Sequence, residues 1–354
     1  MLGTLYTRCL HKRKQVYYGR AAYAQKFMNR TKHLMSSIAI CTKDRNKSLL
    51  ETYTHLKRRL SRDSHHVIVV DQTRRPISLP PIHKSLIYIH VPSDLGLSQA
   101  RNTAHDASPS KLVAFIDDDC IIGDTYTRAL SMLDEASLRK KNIAMVFGRT
   151  EAYKPMRHKS LYCPCTFMKN SNRVIKTIQD HSVSIGYGNN MVIRSDVIKH
   201  IGGFKKWLGA GSVGESAEDA EFIIRCLLAG YTIGYNNRLL VQHNRWLGEK
   251  ALSQQMSRYR CGGLAAYGFY YFQGVDECKN IVKAHLHESF QTIQARLHKS
   301  IRHPKKFLFY LFANLIEIYF ICKGIIIAFI YAKLIPIPSN ENVVKRFYRQ
   351  TQST

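Results

Sequence analysis

Short apolar runs alternate with polar, helix-periodic stretches along the chain from Ser37 onwards. SIAICT (37–42), HVIVVD (66–71), KSLIYIHV (84–91) and LVAFID (112–117) are rich in strand formers, as strands buried on both faces should be. Between the first two, Leu49, Leu50, Tyr53, Leu56 and Leu60 form a stripe at helical spacing, in a helix that Asp44 is placed to cap. GLSQARNTAHDA (96–107) predicts a second helix. Repeated strand–helix units imply an α/β domain whose mostly parallel sheet carries helices on both faces. Ligands of such sheets bind beyond the carboxyl ends of the strands, where Thr42, Asp71 and Asp117 lie.

The pattern continues through strands at NIAMVFGRT (142–150) and GYGNNMVIR (186–194), the latter followed by a short helix from Ser195. Between them, 151–180 is irregular, basic and aromatic, and a loop of that length is usually functional or mobile. In 208–231 the first half is rich in Gly, Ala and Ser and predicts a flexible loop. Glu218 and Asp219 then open a helix reaching Leu228, favoured there by the exposed amides, and Gly230 ends it. YTIGY begins an edge strand that leads to LLVQH and ends at His243.

Beyond Trp246 the character changes. RYRCGGLAAYGFYYF (258–272) is aromatic and rich in small residues, which suits a helix at a membrane surface or on the domain wall. Residues 307–336 are largely apolar, interrupted by Asn314, Glu317 and Lys323. The length allows a membrane span, but a Glu and a Lys near the middle each cost roughly 2.5–3.5 kcal/mol on insertion scales. The expectation is therefore two membrane-lying or re-entrant helices, with a single span or soluble packing helices as the alternatives. Arg296, Lys299, Arg302, Lys305 and Lys306 precede the run, as the positive-inside rule expects for a cytoplasmic catalytic domain beside an anionic membrane surface.

Charge sharpens this picture. The 354 residues carry 53 Lys and Arg against 25 Asp and Glu, a formal net charge of +28, so the chain seeks polyanions. No RNA-recognition, zinc-finger or helix-turn-helix signature points to nucleic acid, which leaves anionic lipid and phosphorylated substrates. Residues 1–36 are basic without one acidic residue and lack an apolar run of signal-peptide length. They read as a surface arm, with a presequence as the alternative. The nine cysteines, odd in number and mostly in apolar contexts, suggest reduced thiols in the cytosol rather than a disulfide framework. Cys163-Pro164-Cys165 lacks the second half of a zinc site.

Asp117, Asp118 and Asp119 follow LVAFI without a gap. Adjacent carboxylates repel and are rarely buried without partners, and a hard divalent cation that also binds a diphosphate is the simplest one. The other reading is a solvated turn at a strand end. In its setting this stretch resembles the D-x-D motif of nucleotide-sugar glycosyltransferases with the GT-A fold, and specifically glycosyltransferase family 2, over about Ser37 to His243. The resemblance implies a Mn2+ or Mg2+ ion on Asp119, with Asp117 bridging through water or binding the donor ribose and His243 as a further ligand. It also implies a nucleotide pocket at Thr42, Asp71 and Arg101, in which Arg101 offsets diphosphate charge, and a sugar pocket lined by Asn190. Glu218-Asp219 resembles the family's E-D motif, in which the Asp deprotonates the acceptor hydroxyl. With one such base and a metal-held leaving group, displacement would invert the anomeric centre. Cys41, Lys43 and Asp44 stand where the family often has proline or tyrosine-asparagine, which leaves the base open although uridine is commonest among relatives.

The sequence reading is thus a basic arm (1–36), a GT-A domain (37–245), a helical, aromatic and basic extension (246–306), an apolar membrane-associating segment (307–336) and a polar tail (337–354). The expected activity transfers a sugar from a nucleoside diphosphate sugar to a glycan or lipid-linked saccharide. A nucleotidyltransferase should carry a Gly-rich phosphate loop after its first strand, and Cys41-Thr42-Lys43-Asp44 is not one. An inactive, polyanion-binding membrane scaffold should have lost an acidic motif, and none is lost here.

Overall fold

A computed structural model describes residues 36–335 apart from 61–64, 81–85, 93 and 182–184. Residues 1–35 of the basic arm and the polar tail lie outside the described residues. The elements in order are β1 (Ser36–Thr42), α1 (Asn46–Arg59), β2 (His66–Asp71), β3 (Leu86–His90), α2 (Gly96–Asp106), β4 (Leu112–Asp117) and β5 (Cys120–Ile122). Then come α3 (Tyr126–Ser131), α4 (Glu135–Lys140), β6 (Ile143–Ala152), β7 (Arg173–Ile175), α5 (Ile178–His181), β8 (Asn190–Arg194), α6 (Ser195–Ile201), α7 (Glu218–Leu228) and β9 (Thr232–His243). Three long helices finish the described chain: α8 (Glu249–Tyr271), α9 (Glu277–Arg302) and α10 (Phe307–Leu334).

One sheet runs in the order β3-β2-β1-β4-β8-β6-β9-β5, with β7 also on β9. Strands β3, β2, β1 and β4 are parallel, β8 is antiparallel to both of its neighbours, and β6 pairs parallel with β9. The alternation of the buried strands explains their unbroken apolar character. Ile38 and Ile40 pack with α1 and α3 on one face, while Ala39, Phe115, Met145 and Met191 pack with α2, α7 and α8 on the other. Register then brings the strand ends together: Thr42 lies opposite Asp71, Cys41 opposite Asp117, and Cys120 opposite His243.

Four local expectations change. Asp44 does not cap α1; it sits at φ 54° and the helix starts at Asn46 without a side-chain cap. Strand β9 is not an edge, because β6 covers one side and β5 and β7 the other. The Gly-rich loop at 207–217 is irregular but closed by its own bonds, Gly214 N to Trp207 O at 2.8 Å and Gly209 N to Ser216 O at 3.2 Å. Most consequential, residues 307–334 form one continuous helix rather than two.

The polar interruptions of α10 are partnered inward. Glu317 is 0% exposed; it pairs with Arg260, accepts from Ser257 Oγ at 2.6 Å, and has Arg296 Nη1 at 3.5 Å. Lys323 pairs with Glu215. Arg296 is therefore spent inside the protein, and only the other four basic residues before the helix are exposed. The buried positions Tyr310, Asn314, Glu317, Gly324 and Ala328 recur every three, four or seven residues, which makes one stripe facing α8. The small residues of 258–272 are explained by the same contact. A Cβ on Gly324 would sit 2.6 Å from Cys261 O, and one on Gly268 would sit 2.8 Å from the Ala328 Cβ, so the two helices touch along their backbones. The opposite face presents Leu308, Phe312, Leu315, Tyr319, Ile326 and Phe329 to solvent. Pro304–Leu334, whose most apolar 18-residue window has mean hydropathy 2.0, is long and apolar enough to cross a membrane by length and composition.

Candidate active site

The three aspartates take different roles. Asp118 turns inward, where its Oδ2 accepts from Thr42 Oγ1 at 2.6 Å and its Oδ1 pairs with Arg45 Nη1 at 2.8 Å. Burial pushes its carboxyl up to about 7 against the pull of Arg45. Arg45 pairs with Asp119 as well, so one guanidinium from the β1–α1 turn ties two of the three carboxylates. The sequence reading passed over Arg45; its signal was a basic residue three positions after a strand that ends beside the acidic triplet.

Asp119 Oδ1 is buried, takes no well-directed hydrogen bond and lies 3.2 Å from His243 Nε2. The β5–β9 pairing produces this encounter across 124 residues, reinforced by Asn244 N donating to Asp119 O at 2.8 Å. His243 Nδ1 is 2.7 Å from Pro164 O, and since a carbonyl can only accept, Nδ1 carries the proton and Nε2 faces the carboxylate. Burial would raise the Asp119 carboxyl, but His243 and Arg45 hold it well below its ordinary range. Burial works against a charged His243 as well, and the neighbouring Asp119 carboxylate outweighs it and raises the imidazole.

A cation fits this pair. An oriented imidazole nitrogen, an orphaned carboxylate oxygen and a carbonyl fixing the tautomer are the parts of a metal-ligating histidine. The third ligating side chain within 4.8 Å is Cys120 rather than Asp117. Its thiol is pushed well above its ordinary value by burial and is a poor match for a hard ion, so Asp119 and His243 carry the fit. Asp117 is one-third exposed and turns to Arg101 Nη2 at 3.2 Å.

Arg101, only 2% exposed, joins four elements. It bonds Glu218 at the start of α7, Asp117 at the end of β4 and Gly188 O at 2.8 Å, and lies 5.7 Å from the Phe204 ring centroid. Glu218 thus faces inward as the partner of a buried charge; burial pushes its carboxyl up to about 7 while Arg101 pulls it down. Asp219 points the other way and accepts Gly188 N at 2.6 Å and Ala220 N at 2.8 Å while remaining partly exposed. A side chain on Gly188 would come 3.0 Å from Asp219 Oδ2 and 3.1 Å from Arg101, so any larger residue there would push these two side chains aside.

Two expected pocket residues are more enclosed than a ligand wall requires. Asp71, 0% exposed, receives Thr73 N and Oγ1, Ile77 N and Tyr88 OH, which places it as the anchor of the 72–80 loop. Asn190, also 0% exposed, donates to Arg149 O at 2.9 Å and Leu239 O at 2.8 Å and laces β6 to β9 from inside the sheet. All eight described cysteines are free, and Cys165 Sγ meets Tyr259 OH at 3.1 Å.

Comparison with known proteins follows this geometry. The sequence profile described as Glycosyl transferase family 2 matches residues 37–202, and that described as Glycosyl transferase family group 2 matches residues 142–337. No curated protein sequence matches the chain. Among solved structures, the mannosyltransferase PcManGT of Pyrobaculum calidifontis, in complex with GDP-Man and Mn2+, is similar over 84% of this chain and 88% of its own, at 12% identity and TM-score 0.50. S. aureus TarS residues 1–349 is similar over 73% of this chain and 72% of its own, at 14% identity and TM-score 0.45. The half-parallel sheet flanked by helices, with acidic groups at the strand ends, is the GT-A fold, and the chain belongs to glycosyltransferase family 2.

Proposed function

We propose that the protein is an inverting, metal-dependent transferase. It moves a sugar from a nucleoside diphosphate sugar, most simply a UDP sugar, to a hydroxyl of a glycan or lipid-linked saccharide at an anionic membrane surface. The observation that carries the reading is the buried Asp119–His243 pair, with its unpartnered carboxylate oxygen and its fixed tautomer. Asp119 and His243 would hold Mn2+ or Mg2+, which supplies charge neutralisation for a departing diphosphate. PcManGT, solved with GDP-Man and Mn2+, agrees with a donor and cation of this class.

The chain's own residues supply the rest. Arg45, about one-third exposed, offsets part of the acidic turn's charge and presents cationic edge towards the strand ends. Thr42, Asp71 and Arg101 support the nucleotide side of the cleft, Asp71 by anchoring the 72–80 loop and Arg101 through Asp117 and Gly188, rather than from the surface. Asn190 supports the sugar side by holding the 149 and 239 backbones together. Asp219 is the acceptor base: two backbone amides orient its carboxylate, and each oxygen keeps a lone pair for a hydroxyl proton. The exposed Lys299, Arg302, Lys305 and Lys306, next to the apolar face of α10, suit an anionic bilayer, each worth about 1 kcal/mol.

The test is thermal-shift screening of full-length protein against nucleoside diphosphate sugars with and without Mn2+. A donor-dependent rise that needs Mn2+ in the wild type and is absent in Asp119→Ala is the expected result. Normal metal dependence in that variant would overturn the assignment.

A further inference from the structure

We infer that α10 is a positioning element of the active site and not only an apolar surface: Lys323 and Tyr331 hold the 207–217 loop, and with it the carboxylate pair that opens α7. The loop is fastened at both ends. At its start, Trp207 stacks on Tyr331 with ring centroids 4.4 Å apart and planes 13° from parallel. Near its end, Glu215 pairs with Lys323 through Oε1 and lies 3.8 Å from Arg258 Nε through Oε2. Helix α8 closes the remaining side, where Ser216 Oγ donates to Arg258 O at 3.2 Å. A Cβ on Gly262 would fall 2.7 Å from Ser216 backbone atoms, so no gap separates helix from loop.

The backbone at this fastening is costly. Glu215 and Ala217 have φ of 67° and 66°, a region non-glycine residues adopt only where surrounding contacts impose it. Glu218 and Asp219 follow directly, and their directions, to Arg101 and to Gly188 N, depend on where that strained segment leaves the chain. Lys323 is otherwise unexplained. A lysine in the middle of a helix this apolar is expensive in a bilayer, and its partner is the loop. The contacts form one path: α10 sets Glu215, Glu215 sets Ala217, and Ala217 sets the entry into α7.

This inference rests on reading Asp219 as the base, but its test is independent of that reading. The chain has two tryptophans, so in a Trp246→Phe background Trp207 reports the loop alone. Full-length protein in detergent micelles is compared for Lys323→Met, Glu215→Gln and Lys323→Arg. Lys323 pairs with Glu215 while Trp207 stacks on Tyr331, so a change in Trp207 reports the loop between them. Lys323→Met and Glu215→Gln should red-shift Trp207 emission and raise its acrylamide quenching about threefold. Amide exchange across 208–219 should speed up about tenfold with helical content unchanged. Lys323→Arg, which keeps the charge, should leave both signals as in the wild type. Unchanged emission and exchange in folded Lys323→Met or Glu215→Gln would overturn the inference, as would a folded Lys323→Arg that loses both signals. Asp219→Asn should leave Trp207 unmoved, so failure of the base assignment and failure of the loop assignment give different results.

Discussion

Glu317→Ala is the sharpest test of how α10 belongs to the protein. Glu317 is 0% exposed in the middle of the most apolar helix, and Arg260 and Arg296 are side chains 9% and 12% exposed. Truncation removes the acceptor for Arg260 Nε and Nη2, for Ser257 Oγ and for Arg296, leaving two guanidiniums with little water. Breaking a buried ion pair from one side costs about 3–5 kcal/mol, because the stranded charge keeps its desolvation penalty. Glu317→Gln retains the shape and some acceptors and should cost less. Replacing Glu317 and Arg260 together by Met removes both charges and should recover much of the loss. Urea unfolding in micelles, followed by circular dichroism, compares the four proteins. A Glu317→Ala midpoint equivalent to less than about 1 kcal/mol of destabilisation would refute the reasoning, since it would mean water or lipid headgroups already solvate the two arginines.

Two further outcomes are expected. Asp219→Asn preserves size but removes the proton acceptor, so turnover should fall about 10²–10⁴-fold with donor affinity hardly changed; collapse of donor binding instead would make Asp219 a pocket residue. His65, enclosed between Ser36 Oγ at 2.7 Å and Ser131 Oγ at 3.2 Å, is lowered to about 4 by burial. Its contribution is present above its unfolded value near 6.5 and is lost as pH falls through about 4, a difference of roughly 3 kcal/mol. Denaturation at pH 7.5 and 4 should therefore show a smaller pH dependence in His65→Asn than in the wild type, and equal dependence would exclude the group.

Much of this protein was readable from periodicity because strands buried on both faces must be continuously apolar, and β1, β2 and β4 were placed by that alone. The acidic turn after β4 and the acidic start of α7 were readable for a similar reason: adjacent charges stand out against an apolar sequence. Long-range pairing was not readable. Nothing near Asp119 in the chain announces His243 or Pro164, and only the antiparallel β5–β9 register joins them. Arg45 looked like a helix-start residue until the sheet set it over two carboxylates. The division of labour within Glu218-Asp219 follows from which side of α7 meets Arg101, a packing fact without a local signal. Glu317 and Lys323 argued locally for a broken apolar segment, because the insertion cost of a charge is counted for an isolated helix. Partners from α8, α9 and the 207–217 loop remove that isolation, so sequence determined that the segment is apolar and helical, and tertiary contacts alone decided that it is one helix built into the enzyme.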